Sequence, residues 1–296
     1  MSTAASLRVE TGGLQLHVET LGQGTPVLLL HGFTGCAAAL SGLARGLARA
    51  GYRTVAPDLV GHGESDAPAD PSHYTMGRCV AQVCGVLDAL DLPRVHAIGY
   101  SMGGRVALSL CAAHPERVRS ALLVGASAGL RRADERSARR HGDEALAARI
   151  EREGVAAFVD DWMAQPLFAS QLRRLSPEAL AAARAQRLRN RAHGLAHSLR
   201  GMGTGAQPAL HARLPSIDVP LALVVGEEDA KFDAIAEALA RRLPRARVAR
   251  VPDAGHAAHL ENPAAFLRVV LGFLADAEDH NRAPALPARQ RRTPSP

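Results

Sequence analysis

Across residues 7–129 the chain alternates short apolar runs with segments of helical periodicity, and this alternation is the strongest constraint on its fold. PVLLLH (26–31), RTVAPD (53–58) and VHAIGY (95–100) have the length and composition of buried strands. Helical patterns over 37–50 and 74–90 separate them, and a helix over 103–114 followed by SALLVG (120–125) continues the series. Parallel strands need crossover connections of a dozen or more residues, usually helices. The pattern therefore predicts an α/β fold, with a mostly parallel eight-stranded sheet flanked by helices.

The alternation breaks over 130–205, a stretch rich in Arg, Ala and Glu that reads as several helices without a strand. It resumes with PLALVVG (220–226), a helix over 234–243, ARVARV (246–251) and a helix over 263–275. One interrupted domain accounts for this better than two successive ones. Residues 1–129 and 206–276 make the core, 130–205 an inserted helical cap, and 277–296 an Arg- and Pro-rich tail expected to be flexible.

The formal charge of +6 invites a nucleic-acid reading, but Arg282, Arg289, Arg291 and Arg292 carry four of those charges, leaving 6 − 4 = +2 for residues 1–281. Aromatic residues, at 3%, are too few for base stacking, so no nucleic-acid partner is expected. The N-terminus lacks a basic segment followed by an apolar run, and nowhere do roughly 18 apolar residues follow one another. A cytoplasmic protein without membrane insertion is expected. Cys36, Cys79, Cys84 and Cys111 form no C-x-x-C pair and no zinc spacing with histidine, and read as free buried thiols.

Gly99-Tyr100-Ser101-Met102-Gly103 is G-x-S-x-G between a strand and a helix. Glycines are needed there because a side chain would collide with neighbouring backbone, and the turn lifts the serine hydroxyl out as a nucleophile or base. A serine acts in this way only with a histidine and an orienting carboxylate. Asp229, in the GEED segment after one strand, and His256, in AGH after the next, supply them in the order Ser, Asp, His. Glu227, Glu228 and Asp233 compete with Asp229, and His31 and His259 with His256. His259 reads as a capping or packing residue. The backbone N–H groups of Phe33, in His31-Gly32-Phe33, and of Met102 are the candidate oxyanion hole.

Arg105 stands one helical turn after Ser101, on the same face. A guanidinium at the mouth of such a site suits an anionic substrate, because a buried charge is costly unless paired. The competing reading is a salt bridge to an internal carboxylate.

HGF, GYSMGG, GEED and AGH, in this order, resemble the α/β-hydrolase family over residues 7–275. Serine at 101, where relatives that open epoxides or remove halide carry aspartate, argues against those two activities. GLRRADERSARR (129–140), DDWMAQPLFASQ (160–171), LRNRAHG (188–194) and GEEDAKF (226–232) extend the resemblance to the 2-succinyl-6-hydroxy-2,4-cyclohexadiene-1-carboxylate synthases of menaquinone biosynthesis. That resemblance implies a lyase that eliminates pyruvate from a small tricarboxylate without metal or organic cofactor. It assigns carboxylate binding to Arg105, Arg139 and Arg189, with Arg136, Arg140 and Arg191 as near alternatives, and pocket-lining roles to Tyr100, Trp162 and Phe168. Three guanidiniums match three carboxylates, each able to bind bidentately. Two rival readings share the same residues: a serine hydrolase of esters or of carbon–carbon bonds in acidic ring-cleavage products, and a non-catalytic binder on the same fold.

Overall fold

Alternation within Val27-Leu28-Leu29-Leu30 decides how the sheet is covered. Successive strand side chains point to opposite faces. Val27 and Leu29 enter one apolar core, Leu28 and Leu30 another, and all four are fully buried. In the computed structural model, which describes residues 4–282, eight strands form one sheet: β1 (Ala4–Thr11), β2 (Leu14–Leu21), β3 (Thr25–Leu30), β4 (Tyr52–Pro57), β5 (Val95–Tyr100), β6 (Val118–Val124), β7 (Leu221–Gly226) and β8 (Ala246–Val251). Their spatial order is β1-β2-β4-β3-β5-β6-β7-β8. Only the pairs β1–β2 and β2–β4 are antiparallel, so the sheet is mostly parallel as expected. Gly12 and Gly13 close the β1–β2 hairpin at φ 59° and 78°, the two-residue turn whose twist matches that of the strands.

Helices α1 (Ser41–Arg49) and α10 (Pro263–Arg282) pack on the Val27/Leu29 side, and α2 (Met76–Ala89), α3 (Met102–Ala113) and α8 (Ala230–Ala240) on the other. Each fully buried Leu or Val on these faces contributes about 1.5–3 kcal/mol of apolar transfer. Between β6 and β7 the chain inserts α4 (Ala133–Met163), α5 (Ala169–Arg174), α6 (Pro177–Leu188) and α7 (Ala192–Met202). Ile150, Phe158 and Val159 of α4 meet Leu195, Ala196 and Leu199 of α7 in a small core of their own, against which Phe33 packs. α4 bends at Gly154, where φ is 81°. Ser176 opens α6 by accepting the Ala179 N–H at 3.2 Å, with Pro177 in the first turn.

Two boundaries differ from the sequence reading. α8 starts at Ala230 instead of 234, because the Asp229 carboxylate caps it by accepting the Phe232 N–H at 3.3 Å. α10 continues past 275 to Arg282, through the first residues of the expected tail, and residues 283–296, where the rest of that expectation falls, lie outside those described. Among the described residues no helix is long and apolar enough to cross a membrane. A four-residue helix, α9 (Ala258–Glu261), completes the chain ahead of α10.

Candidate active site

β5 ends at Tyr100 and α3 begins at Met102, which leaves Ser101 alone in the turn at φ 50°, ψ −107°. A non-glycine residue there carries strain of order 1–3 kcal/mol, sustained only by its surroundings. The Ser101 N–H donates to the Val124 carbonyl at 2.8 Å, and the Ser101 carbonyl accepts from the Arg105 N–H at 3.0 Å. The flanking glycines are required by close approach: a Cβ on Gly99 would stand 2.3 Å from the Gly103 carbonyl oxygen, and one on Gly103 2.2 Å from that of Leu30.

His256 Nε2 lies 3.2 Å from Ser101 Oγ, and its Nδ1 lies 2.7 Å from Asp229 Oδ2. Asp229 and His256 are both buried. Asp229 thus bonds His256 with one oxygen and caps α8 with the other, so helix formation and side-chain placement reinforce each other. Glu261 brackets His256 from below, accepting the Gly255 N–H at 2.7 Å and the Ala257 N–H at 3.1 Å. Four of the competing groups, Glu228, Asp233, His31 and His259, are engaged elsewhere. Glu228 pairs with Arg173 and Arg174, and Asp233 with Arg250. His31 accepts the Leu59 N–H through Nε2 and donates from Nδ1 to the Gly32 carbonyl. His259 stacks on Tyr100 with ring centroids 4.5 Å apart, and burial, then the proximity of His256, pushes its pKa down to about 3.

A cavity of about 700 Å³ opens over Ser101 and His256, lined in part by Phe33, Tyr100, Met102, Trp162 and Phe168. Met102 is the first residue of α3, where an N–H has no acceptor within its own helix. Trp162 meets the Phe33 ring edge-on at 5.3 Å, and Phe168 stands 6.2 Å from the His256 ring. Phe232, which the motif reading overlooked, lies closer still, at 4.6 Å from His256.

Arg105 and Arg139 line this cavity, as do Arg131, Arg132, Lys231, Arg241 and Arg242, against the single carboxylate of Glu135. Arg105 Nη1 donates to the Met202 carbonyl at 2.5 Å and to Gln207 Oε1 at 3.4 Å, and no carboxylate of the described residues pairs with it. Burial, followed by the charge of Arg139, pulls its pKa down to about 10. Arg139 Nε donates to the buried carboxylate of Asp143 at 2.7 Å, whose other oxygen accepts the Gly205 N–H at 3.2 Å. Arg189 is not brought to the cavity: it is exposed and pairs with Glu64. Of the alternatives, Arg136 donates to the carbonyls of Leu130 and Arg131, Arg140 to that of Gly205 and Arg191 to that of Ser65, and none lines the cavity.

Sequence reasoning missed Asp143, Gln207 and Glu261. Only Asp143 carried a signal, its i, i+4 spacing from Arg139 on one helix. Among the described residues no group of three or more His, Cys, Asp or Glu side chains is arranged to hold a metal ion.

The α/β-hydrolase fold family matches residues 25–263. A putative 2-succinyl-6-hydroxy-2,4-cyclohexadiene-1-carboxylate synthase of Bacillus subtilis is 44% identical over 248 residues, 84% of this chain and 89% of that protein. The enzyme of the same name from Klebsiella pneumoniae is 37% identical over 218 residues, 74% of this chain and 82% of its own. Among solved structures, MenH from S. aureus superposes with a TM-score of 0.82 at 30% identity, covering 94% of this chain and 98% of that one. A thermophilic esterase from Thermogutta terrifontis reaches 0.80 at 27% identity, covering 93% and 99%.

Proposed function

Since the chain belongs to the 2-succinyl-6-hydroxy-2,4-cyclohexadiene-1-carboxylate synthases within the α/β-hydrolase fold, we propose that it eliminates pyruvate from 2-succinyl-5-enolpyruvyl-6-hydroxy-3-cyclohexene-1-carboxylate, a step of menaquinone biosynthesis. The observation that carries this reading is Arg105, a guanidinium one helical turn from Ser101 that no carboxylate of the described residues pairs with, in a cavity whose charged lining is almost wholly cationic. A tricarboxylate supplies what that lining lacks; an apolar ester does not.

In this mechanism Ser101 Oγ removes a ring proton from the substrate as its own proton passes to His256 Nε2. Asp229 holds the imidazole in the tautomer that accepts this proton and stabilises the imidazolium. The electron pair of the broken C–H bond runs into the succinyl carbonyl, and the resulting enolate oxygen takes the backbone N–H groups of Met102 and Phe33. The carbon–oxygen bond to the enolpyruvyl group then breaks, and the departing enolate gains a proton as His256 returns to neutral, leaving as pyruvate. No acyl-enzyme forms. Arg105 and Arg139 hold carboxylates, and Trp162, Phe168 and Tyr100 enclose the ring.

Pyruvate release from the enzymatically prepared enolpyruvyl substrate, followed beside Ser101→Ala, tests the proposal. Release well above the spontaneous rate and lost in the variant is expected. Hydrolysis of simple esters at comparable kcat/KM, without serine-dependent pyruvate release, would replace it with the hydrolase reading.

A further inference from the structure

The cap is pinned to the core where α6 passes into α7. Arg191 donates to the Ser65 carbonyl, and the His193 ring to the Ala67 carbonyl at 2.9 Å. Just ahead of them stands Asn190, 6% exposed, with every hydrogen-bonding direction of its side-chain amide engaged. Oδ1 accepts the Gly63 N–H at 3.0 Å, and Nδ2 donates to the carbonyls of Arg187 at 2.9 Å and Thr34 at 2.8 Å. The bond to Thr34 reaches the loop that carries Phe33. There the Gly35 N–H donates to the Gly32 carbonyl at 2.9 Å, closing a turn with Phe33 and Thr34 at its centre. Thr34 stands at φ 66°, where glycine is the ordinary occupant and a β-branched residue has to be held. Its buried hydroxyl has no partner, and among the described residues Asn190 makes the one hydrogen bond that reaches it.

These bonds run in series through planar peptide units. Asn190 holds the carbonyl of the Thr34–Gly35 peptide, the N–H of that peptide holds the Gly32 carbonyl, and the Gly32–Phe33 peptide ends in the Phe33 N–H. In a trans peptide the N–H points opposite to the carbonyl, so fixing the Gly32 oxygen aims the Phe33 N–H. Hydrogen bonds linked in this way also polarise one another.

We infer that Asn190 is a positioning residue for the oxyanion hole, a cap side chain that holds the turn aiming the Phe33 N–H. This role rests on the oxyanion function proposed above for that N–H. It makes the seating of the cap a condition of transition-state stabilisation, beyond the enclosure of substrate.

Steady-state pyruvate release by three variants tests this. Asn190→Ala removes the tether. Asn190→Asp keeps the size of the side chain and the acceptor for the Gly63 N–H, but its ionised carboxylate cannot donate to Thr34. The third variant adds Thr34→Gly to Asn190→Ala. Removing an oxyanion donor outright costs about 10²–10³ in kcat, and misaiming one costs part of that. In Asn190→Ala kcat should therefore fall at least about tenfold with KM within about twofold, since the contact is made in the transition state, and Asn190→Asp should match it in kcat. Thr34→Gly should restore kcat at least about threefold, because glycine adopts a positive φ without a tether; a side chain that only seats the cap would gain nothing from it. Asn190→Asp, the closest in shape, decides the matter should the alanine chains fail to fold. A raised KM at parent kcat in Asn190→Ala, parent kinetics in Asn190→Asp, or no rescue by Thr34→Gly would overturn the inference. A parent that releases no pyruvate removes the proposed function. The same variants are then read on p-nitrophenyl acetate, whose tetrahedral intermediate takes the same N–H groups, with the same outcomes deciding. A parent inactive on both substrates has no oxyanion hole to position, and overturns the inference as well.

Discussion

Arg105→Met separates recognition from stability. A charge-assisted hydrogen bond contributes about 1.5–3 kcal/mol, so loss of the Arg105 contact to a substrate carboxylate lowers kcat/KM by about 10- to 160-fold. The fold responds differently. A guanidinium held near 10, below the ordinary arginine value, is disfavoured in its charged form by about 3 kcal/mol. Because this is a basic group with a lowered folded-state value, the native chain carries that penalty at every pH below about 10 and sheds it only as pH climbs above that value towards the ordinary arginine range. Methionine removes the penalty, at the cost of leaving the Met202 carbonyl and Gln207 Oε1 to water or to nothing, about 1–3 kcal/mol for a group left unsatisfied. The two terms nearly cancel. Steady-state pyruvate release and calorimetric melting on the same preparation read both: a large loss of kcat/KM is expected with Tm within about 5 °C of the parent. Kinetics within twofold of the parent would refute the carboxylate role. A fall in Tm of more than about 10 °C would show instead that the charge serves the fold.

Further outcomes follow from other parts of the molecule. Asp143→Ala frees Arg139 and leaves the Gly205 N–H without its acceptor; KM should rise several-fold and stability fall by about 1–3 kcal/mol, read by kinetics and urea unfolding, and parent values for both would count against it. Asp58 connects His17 with the N–H groups of Ala37 and Glu64, and the hydrogen bond to Asp58 raises the His17 pKa above 6.5 against the effect of burial. Its stabilisation is complete below 6.5 and is lost as pH rises through the raised value, so the parent's Tm should fall over that window more steeply than that of Asp58→Asn; equal slopes would contradict the linkage. The cationic mouth formed by Arg131, Arg241, Arg242 and Lys231 should make kcat/KM for a trianionic substrate fall as salt rises, and Arg241→Glu with Arg242→Glu should flatten that dependence.

The sheet and the Ser101 turn were legible because each follows from a local rule. Strand periodicity is two residues, and the G-x-S-x-G glycines answer to backbone atoms only a few residues or one strand away. That Asp229 and His256 meet was legible from strand ends, whereas the partners that engage neighbouring groups, such as Arg250 for Asp233, are not revealed by sequence. The cap was harder. Its helices are rich in arginine, and residues two apart on a helix point roughly 200° away from each other. A motif that names Arg189 therefore leaves open which face of the end of α6 meets the core. The structure turns Arg187 inward and Arg189 towards Glu64. Glu261 was illegible for another reason: it acts through backbone N–H groups, which carry no sequence signature; Gln207 meets Arg105 side chain to side chain from a loop far along the chain, a pairing that spacing does not reveal.

Asp143 grips the Arg139 side chain and the backbone of Gly205 together, and the same short loop presents Met202 and Gln207 to Arg105. Both guanidiniums are therefore tied to one strap between α7 and β7, Arg105 directly and Arg139 through Asp143. Selection acting on residues 202–207 cannot retune one contact and leave the other alone. A new substrate with a different spacing between its acids would be reached by replacing the strap as a unit, whereas the exposed arginines around the mouth can drift one at a time.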